Sequence, residues 1–185
     1  DRTAGFASVL PGSPLAPLIG DVHGRHLHAP WRSIPALVDP AAGPLRPGLD
    51  WTRLEERYLS SAPRVLVVDD LLAPRALELV RRWVREATVF HEVKAHGSPY
   101  VGAYAEDGLA TPLLLQIASE LRRRLPRVLG RHALQQHWAY KYDERVSAEG
   151  IAVHADEAAV NCNLWVGGDA AGGNTTSTKG GLRIF

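Results

Sequence analysis

The period of the apolar positions changes once along this chain, near residue 131. Upstream the spacing is helical. Asp50 is placed to cap a short helix over Trp51–Leu59, with Glu55 and Glu56 in its early turns. Arg64–Asp69 (RVLVVD) is a β-branched apolar run, which predicts a buried strand. Pro74 opens a helix through about Ala87, with Leu77, Val80 and Val84 on one side and Arg75, Arg81, Arg82 and Arg85 on the other. Thr111 and Pro112 begin another, to about Arg124, with Leu114, Ile117, Ala118 and Leu121 as its stripe; Pro126 and Gly130 end it.

Downstream the period is two. Leu134, Gln136, Trp138, Tyr140 and Tyr142 share one strand face. Ile151–His154 predicts a further short strand. Val160, Cys162, Leu164 and Val166 predict a third, with Asn161, Asn163 and Trp165 opposite. Leu182–Phe185 opens another after the glycine-rich loop at 172–176. Helices followed by consecutive strands predict an α+β domain with helices packed on an antiparallel sheet.

Residues 1–50 fall outside this pattern. They hold eight of the thirteen prolines, which fix φ and remove donors, so an extended arm over a surface is expected there and a domain over 51–185. The arm is also the expected contact for a protein partner. Within it, Asp21 and His23 resemble the first metal-binding block of calcineurin-like phosphatases. The later blocks of that family are missing and Pro14–Pro17 disfavours the strand it needs, so the stretch reads as a polar loop.

Composition narrows the class. With 185 residues, 45% hydrophobic and 22% charged, the chain can bury a core of its own. A net charge of +1 offers no global field for nucleic acid. Val65–Val68 and Leu113–Leu115 fall far short of the ~20 apolar residues that span a bilayer. One cysteine, Cys162, excludes an intrachain disulfide; it favours a reducing, cytoplasmic setting and reads as a small buried hydrophobe. There is no methionine, so the chain reads as processed or partial.

The chemistry is carried by His154-Ala155-Asp156. On a strand, positions i and i+2 point to one side, so an imidazole and a carboxylate reach the same point. That supplies two legs of a 2-His-1-carboxylate site, which leaves open positions on non-heme Fe(II). Asn161 and Asn163 on one face of a strand suit a polar cavity better than a dry core.

From Arg64 to Phe185 the chain resembles the iron(II)/2-oxoglutarate-dependent oxygenases, in their prolyl-hydroxylase-like branch. The likeness runs through Val65–Pro74, Trp138–Tyr142, Gly150–Asp156, Val160–Val166 and Gly180–Phe185, where a Gly-Gly pair opens a strand. It implies a double-stranded β-helix of the jelly-roll or cupin-like kind with flanking N-terminal helices. His154 and Asp156 then match metal ligands. Tyr142, or Tyr140 on the same face, matches a tyrosine of the 2-oxoglutarate pocket, and Asn161 or Asn163 would contact the co-substrate or a metal-bound water. Gly172–Lys179 could form part of a lid. The family's distal His and the basic partner of the 2-oxoglutarate carboxylate lie past the Gly-Gly strand, and His91, His96, His132 and His137 all precede the motif. The fold is therefore expected to be incomplete at the C-terminus of this chain. Two functions follow. One is a dioxygenase hydroxylating a protein or a small molecule; the other is a catalytically incomplete module that serves as a structural or interaction subunit.

Overall fold

The computed structural model describes residues 43–90, 92–93, 100–142 and 154–167. In chain order these form α1 (Trp51–Ser60), α2 (Pro74–Glu86), β1 (Glu92–Val93), β2 (Tyr100–Tyr104), a 3-10 turn (Ala105–Asp107), α3 (Pro112–Arg124) and β3 (Trp138–Tyr142).

The helices start where their capping chemistry allows. An Asp50 carboxylate oxygen accepts from the Arg53 amide at 3.0 Å and satisfies one of the free donors of α1. Pro74 and Pro112 sit in the first turns of α2 and α3, where no amide is needed. Gly130 donates to the Pro126 carbonyl at 3.1 Å in the turn after α3. A Cβ at that glycine would collide with the same carbonyl.

Two of these helices, α2 and α3, each bury one apolar stripe. From α2 come Ala76, Val80 and Trp83; from α3 come Leu113, Ile117 and Leu121. The polar side of α2 carries Arg75–Glu78 and Arg82–Glu86 ion pairs at 2.7 and 3.0 Å. Buried Glu55 of α1 reaches across to the turn after α3, where one carboxylate oxygen accepts from the Arg127 and Val128 amides at 2.7 and 3.2 Å. The Val128 amide also donates to the Leu125 carbonyl at 3.2 Å, so the carboxylate satisfies the Arg127 amide, shares that of Val128 and fastens α1 to α3.

The three strands are antiparallel in the order β1-β2-β3. Pairing Tyr100 with Tyr142, Gly102 with Tyr140 and Tyr104 with Trp138 fixes two unlike faces. Val101, Ala103, Ala139 and Lys141 share the inner face: Ala103 is fully buried and Ala139 packs on the core. Lys141 lies 4.2 Å over the Phe90 ring, and burial holds its pKa below the usual lysine value. The opposite face carries Tyr100, Tyr104, Trp138, Tyr140 and Tyr142.

Several sequence expectations change here. Residues 43–50 belong to the body and not to a surface arm. Pro44 and Leu45 are buried, Leu45 bridges Leu72, and Arg46 N and Ala73 N donate to Leu71 O and Pro44 O at 2.8 and 2.9 Å. Residues 1–42, with Asp21 and His23, lie outside the described residues. The run Arg64–Asp69 is irregular, and Val67 is 70% exposed. Its backbone makes a local bond, Val65 N to Pro63 O at 2.9 Å, and then turns at Asp70, whose φ is +51°. β-Branched composition marks a strand only where a neighbour supplies the ladder. β3 begins at Trp138, so Leu134 and Gln136 precede it in irregular chain. Val160–Val166 is irregular as well. Ile151–Val153, Gly172–Lys179 and Leu182–Phe185 lie outside the described residues.

Candidate metal site

Residues 154–167 run without regular secondary structure. The segment is held to the body at its far end. The Arg81 Nε of α2 donates to the Val166 carbonyl at 2.7 Å, and the Val166 side chain packs against the core. Between these points the chain is mostly exposed; Leu164 is 40% and Trp165 69% accessible.

His154 and Asp156 are nonetheless brought together. The His154 Nε2 lies 3.5 Å from an Asp156 carboxylate oxygen, Oδ1. They meet through local chain geometry and not through a strand pleat, since neither residue lies in a strand. The Asp156 carbonyl accepts from the Ala158 amide at 2.8 Å, which turns the backbone tightly after the carboxylate. That turn returns Asn161 to Asp156, where the side-chain amide donates to Oδ2. Asp156 thus has one oxygen toward an imidazole and the other on an amide.

The donor chemistry suits a divalent first-row ion. Such ions hold imidazole nitrogen and carboxylate oxygen at about 2.0–2.2 Å. Two donors at right angles on one ion then stand about 3 Å apart, close to the separation found here. The His154 side chain is 56% accessible and that of Asp156 28%, so an ion can approach the pair from solvent. Among the described residues no third His, Cys, Asp or Glu completes a group of three around them.

The other predicted site residues are distributed as follows. Tyr140 and Tyr142 are brought together on the outer face of β3, around Tyr100. Tyr100 packs edge-on to Tyr140 at 5.2 Å and tilted against Tyr142 at 5.1 Å. The Tyr104 and Tyr140 hydroxyls are 3.4 Å apart. Burial pushes the Tyr142 pKa up, and the neighbouring Tyr100 and Tyr140 phenols push it further. Asn163 is exposed. Cys162 is exposed and not a core residue, although desolvation still raises its thiol pKa.

Sequence reasoning missed Tyr100 and Tyr104. Strand β2 is not among the sequence expectations, and its two tyrosines acquire a role only through the pairing with β3. Among the described residues no helix is long and apolar enough to cross a membrane. No family model, no curated protein and no solved structure matches the chain.

Proposed function

We propose that this chain carries the metal-binding part of an Fe(II)/2-oxoglutarate-dependent dioxygenase, a hydroxylase of protein or small-molecule C–H bonds, built on a double-stranded β-helix. The observation that carries this reading is the approach of His154 Nε2 to Asp156 Oδ1 at 3.5 Å. Imidazole and carboxylate at that separation are two of the three protein donors such a site uses. Bound iron supplies the chemistry that couples oxidation of 2-oxoglutarate by O₂, to succinate and CO₂, with insertion of one oxygen atom into a substrate C–H bond.

The protein's own groups then have distinct tasks. His154 and Asp156 hold the ion. The Tyr142 phenol, a donor at neutral pH, gives a hydrogen bond to the co-substrate, and Tyr140 is the second donor on the same face. The exposed Asn163 amide is a further polar contact for the co-substrate. A reducing setting such as the cytoplasm, which the single cysteine favours, suits ferrous iron.

A second reading rests on Leu164 and Trp165, two exposed hydrophobics on the same segment as the metal pair. An interaction module would use such side chains to dock a protein partner. Calorimetric titration of the full-length gene product under anaerobic Fe(II) separates the two. The dioxygenase reading expects 2-oxoglutarate binding that is lost in both His154→Ala and Asp156→Ala. Equal binding in wild type and both variants, or none in any, makes the module the better account.

A further inference from the structure

The Asp156 carboxylate has two oxygens and can hold a metal through one or both. Its terminal torsion is broad and roughly two-fold, so the side chain itself does not choose. A strand would aim the residue through the pleat of a hydrogen-bonded sheet, but residues 154–167 are irregular. Something else has to orient the carboxylate. The turn closed by Ala158 N and Asp156 O brings the Asn161 side chain onto Oδ2.

We infer that Asn161 is the positioning residue of Asp156: its amide holds Oδ2 and leaves Oδ1 as the oxygen facing His154 and a shared divalent ion. This rests on the metal-site reading above. An ionised carboxylate only accepts, so Asn161 presents its NH₂. An amide suits the task because it is neutral: it orients the carboxylate without supplying a competing anionic ligand. Holding one oxygen also lowers the ordering cost of binding, since the ligand is oriented before the ion arrives. Partners of this kind behind metal ligands typically change metal affinity by about 10- to 100-fold. The assignment moves Asn161 from co-substrate contact to ligand support, and leaves exposed Cys162 on the same segment as its internal control.

The test is Mn(II) binding to the full-length gene product, read from the resonance signal of the free ion, with Co(II) visible absorption as a report on ligand geometry. Asn161→Ala is expected to weaken Mn(II) binding about 10- to 100-fold and to shift the Co(II) bands. Asn161→Gln, which keeps the donor on a longer stem, is expected to recover most of that affinity. Cys162→Ala, at the exposed position next to Asn161, should match wild type in both measurements. Wild-type Mn(II) affinity in Asn161→Ala, with Asp156→Ala defective, overturns the role of Asn161 and leaves the metal pair standing. Weakened affinity with unchanged Co(II) bands overturns it too, because a purely structural residue would give that result. Wild-type affinity in Asp156→Ala removes the metal site and this inference together.

Discussion

The inner face of the β2–β3 ladder and the 154–167 segment solve different problems. The inner face is closed: Ala103 is fully buried, Ala139 packs on the core, and α2 and α3 contribute Val80, Trp83, Leu113 and Ile117 to the same cluster. The 154–167 segment is open. It is anchored by Arg81 on Val166, and its chemistry sits on exposed chain, with His154, Asp156 and Asn161 linked to one another. Burial supplies the stability of the body, and a few polar contacts supply the arrangement of the site. Sites on irregular chain held by a rigid scaffold are common because surface segments can change without disturbing a core. The comparison predicts that the two regions respond separately to mutation.

The largest expected effect is in the body. Leu113 is fully buried, so Leu113→Ala should cost about 2–5 kcal/mol in urea unfolding, from lost transfer energy and the cavity left behind. Metal affinity of the protein that remains folded should stay near wild type. A loss as large as that in Asp156→Ala would break the separation.

Glu55→Ala comes next. It removes the acceptor of the Arg127 amide and one of the two acceptors of the Val128 amide, and a loss of about 1–3 kcal/mol is expected. Glu55→Gln should lose less in the same unfolding assay, because the amide oxygen still accepts. Equal losses in the two variants would assign the effect to packing and not to the hydrogen bonds.

Arg81→Ala tests the join between the regions. Removing the bond to the Val166 carbonyl should lower global stability by about 1 kcal/mol. Its main effect should be local: faster amide hydrogen exchange over 154–167, with α2, α3 and the β2–β3 ladder unchanged. Uniformly faster exchange would mean that the segment and the body open as one unit.

The smallest effect is electrostatic. The folded Tyr142 pKa is raised above its ordinary value of 10.0, first by burial and then by Tyr100 and Tyr140. The folded state holds this proton more tightly than the unfolded chain does. Its contribution to stability is therefore complete below pH 10.0 and is lost as pH rises through the folded value. Phenolate absorbance should show Tyr142 titrating late. Tyr100→Phe should lower that midpoint only part of the way, because burial remains; a full return would make the phenol neighbours the main cause.

Local signals in the chain were read well where one residue type has one physical consequence. Asp50 caps α1, Pro74 and Pro112 open α2 and α3, and Trp138–Tyr142 alternates as a strand. Signals that depend on a distant partner misled. Arg64–Asp69 and Val160–Val166 have strand composition, but both are irregular among the described residues. Proline density suggested an arm through residue 50, yet Pro44 and Leu45 enter the core by pairing with the chain around Leu72. The metal pair shows both sides of this. The i, i+2 spacing of His154 and Asp156 predicts that the two groups reach one point; they stand 3.5 Å apart, and neither residue itself lies in a strand.

By itself the sequence determined the helix starts, the strand Trp138–Tyr142 and the closeness of His154 to Asp156. Each depends on bonds and torsions within a few residues, and those are written in the order of the side chains. Tertiary structure alone decided that Glu55 fastens α1 to the turn after α3, that Tyr100 joins Tyr140 and Tyr142, and that Arg81 holds the site segment to α2. These contacts join residues far apart in the chain, so they exist only once strand register and helix packing have brought their elements together.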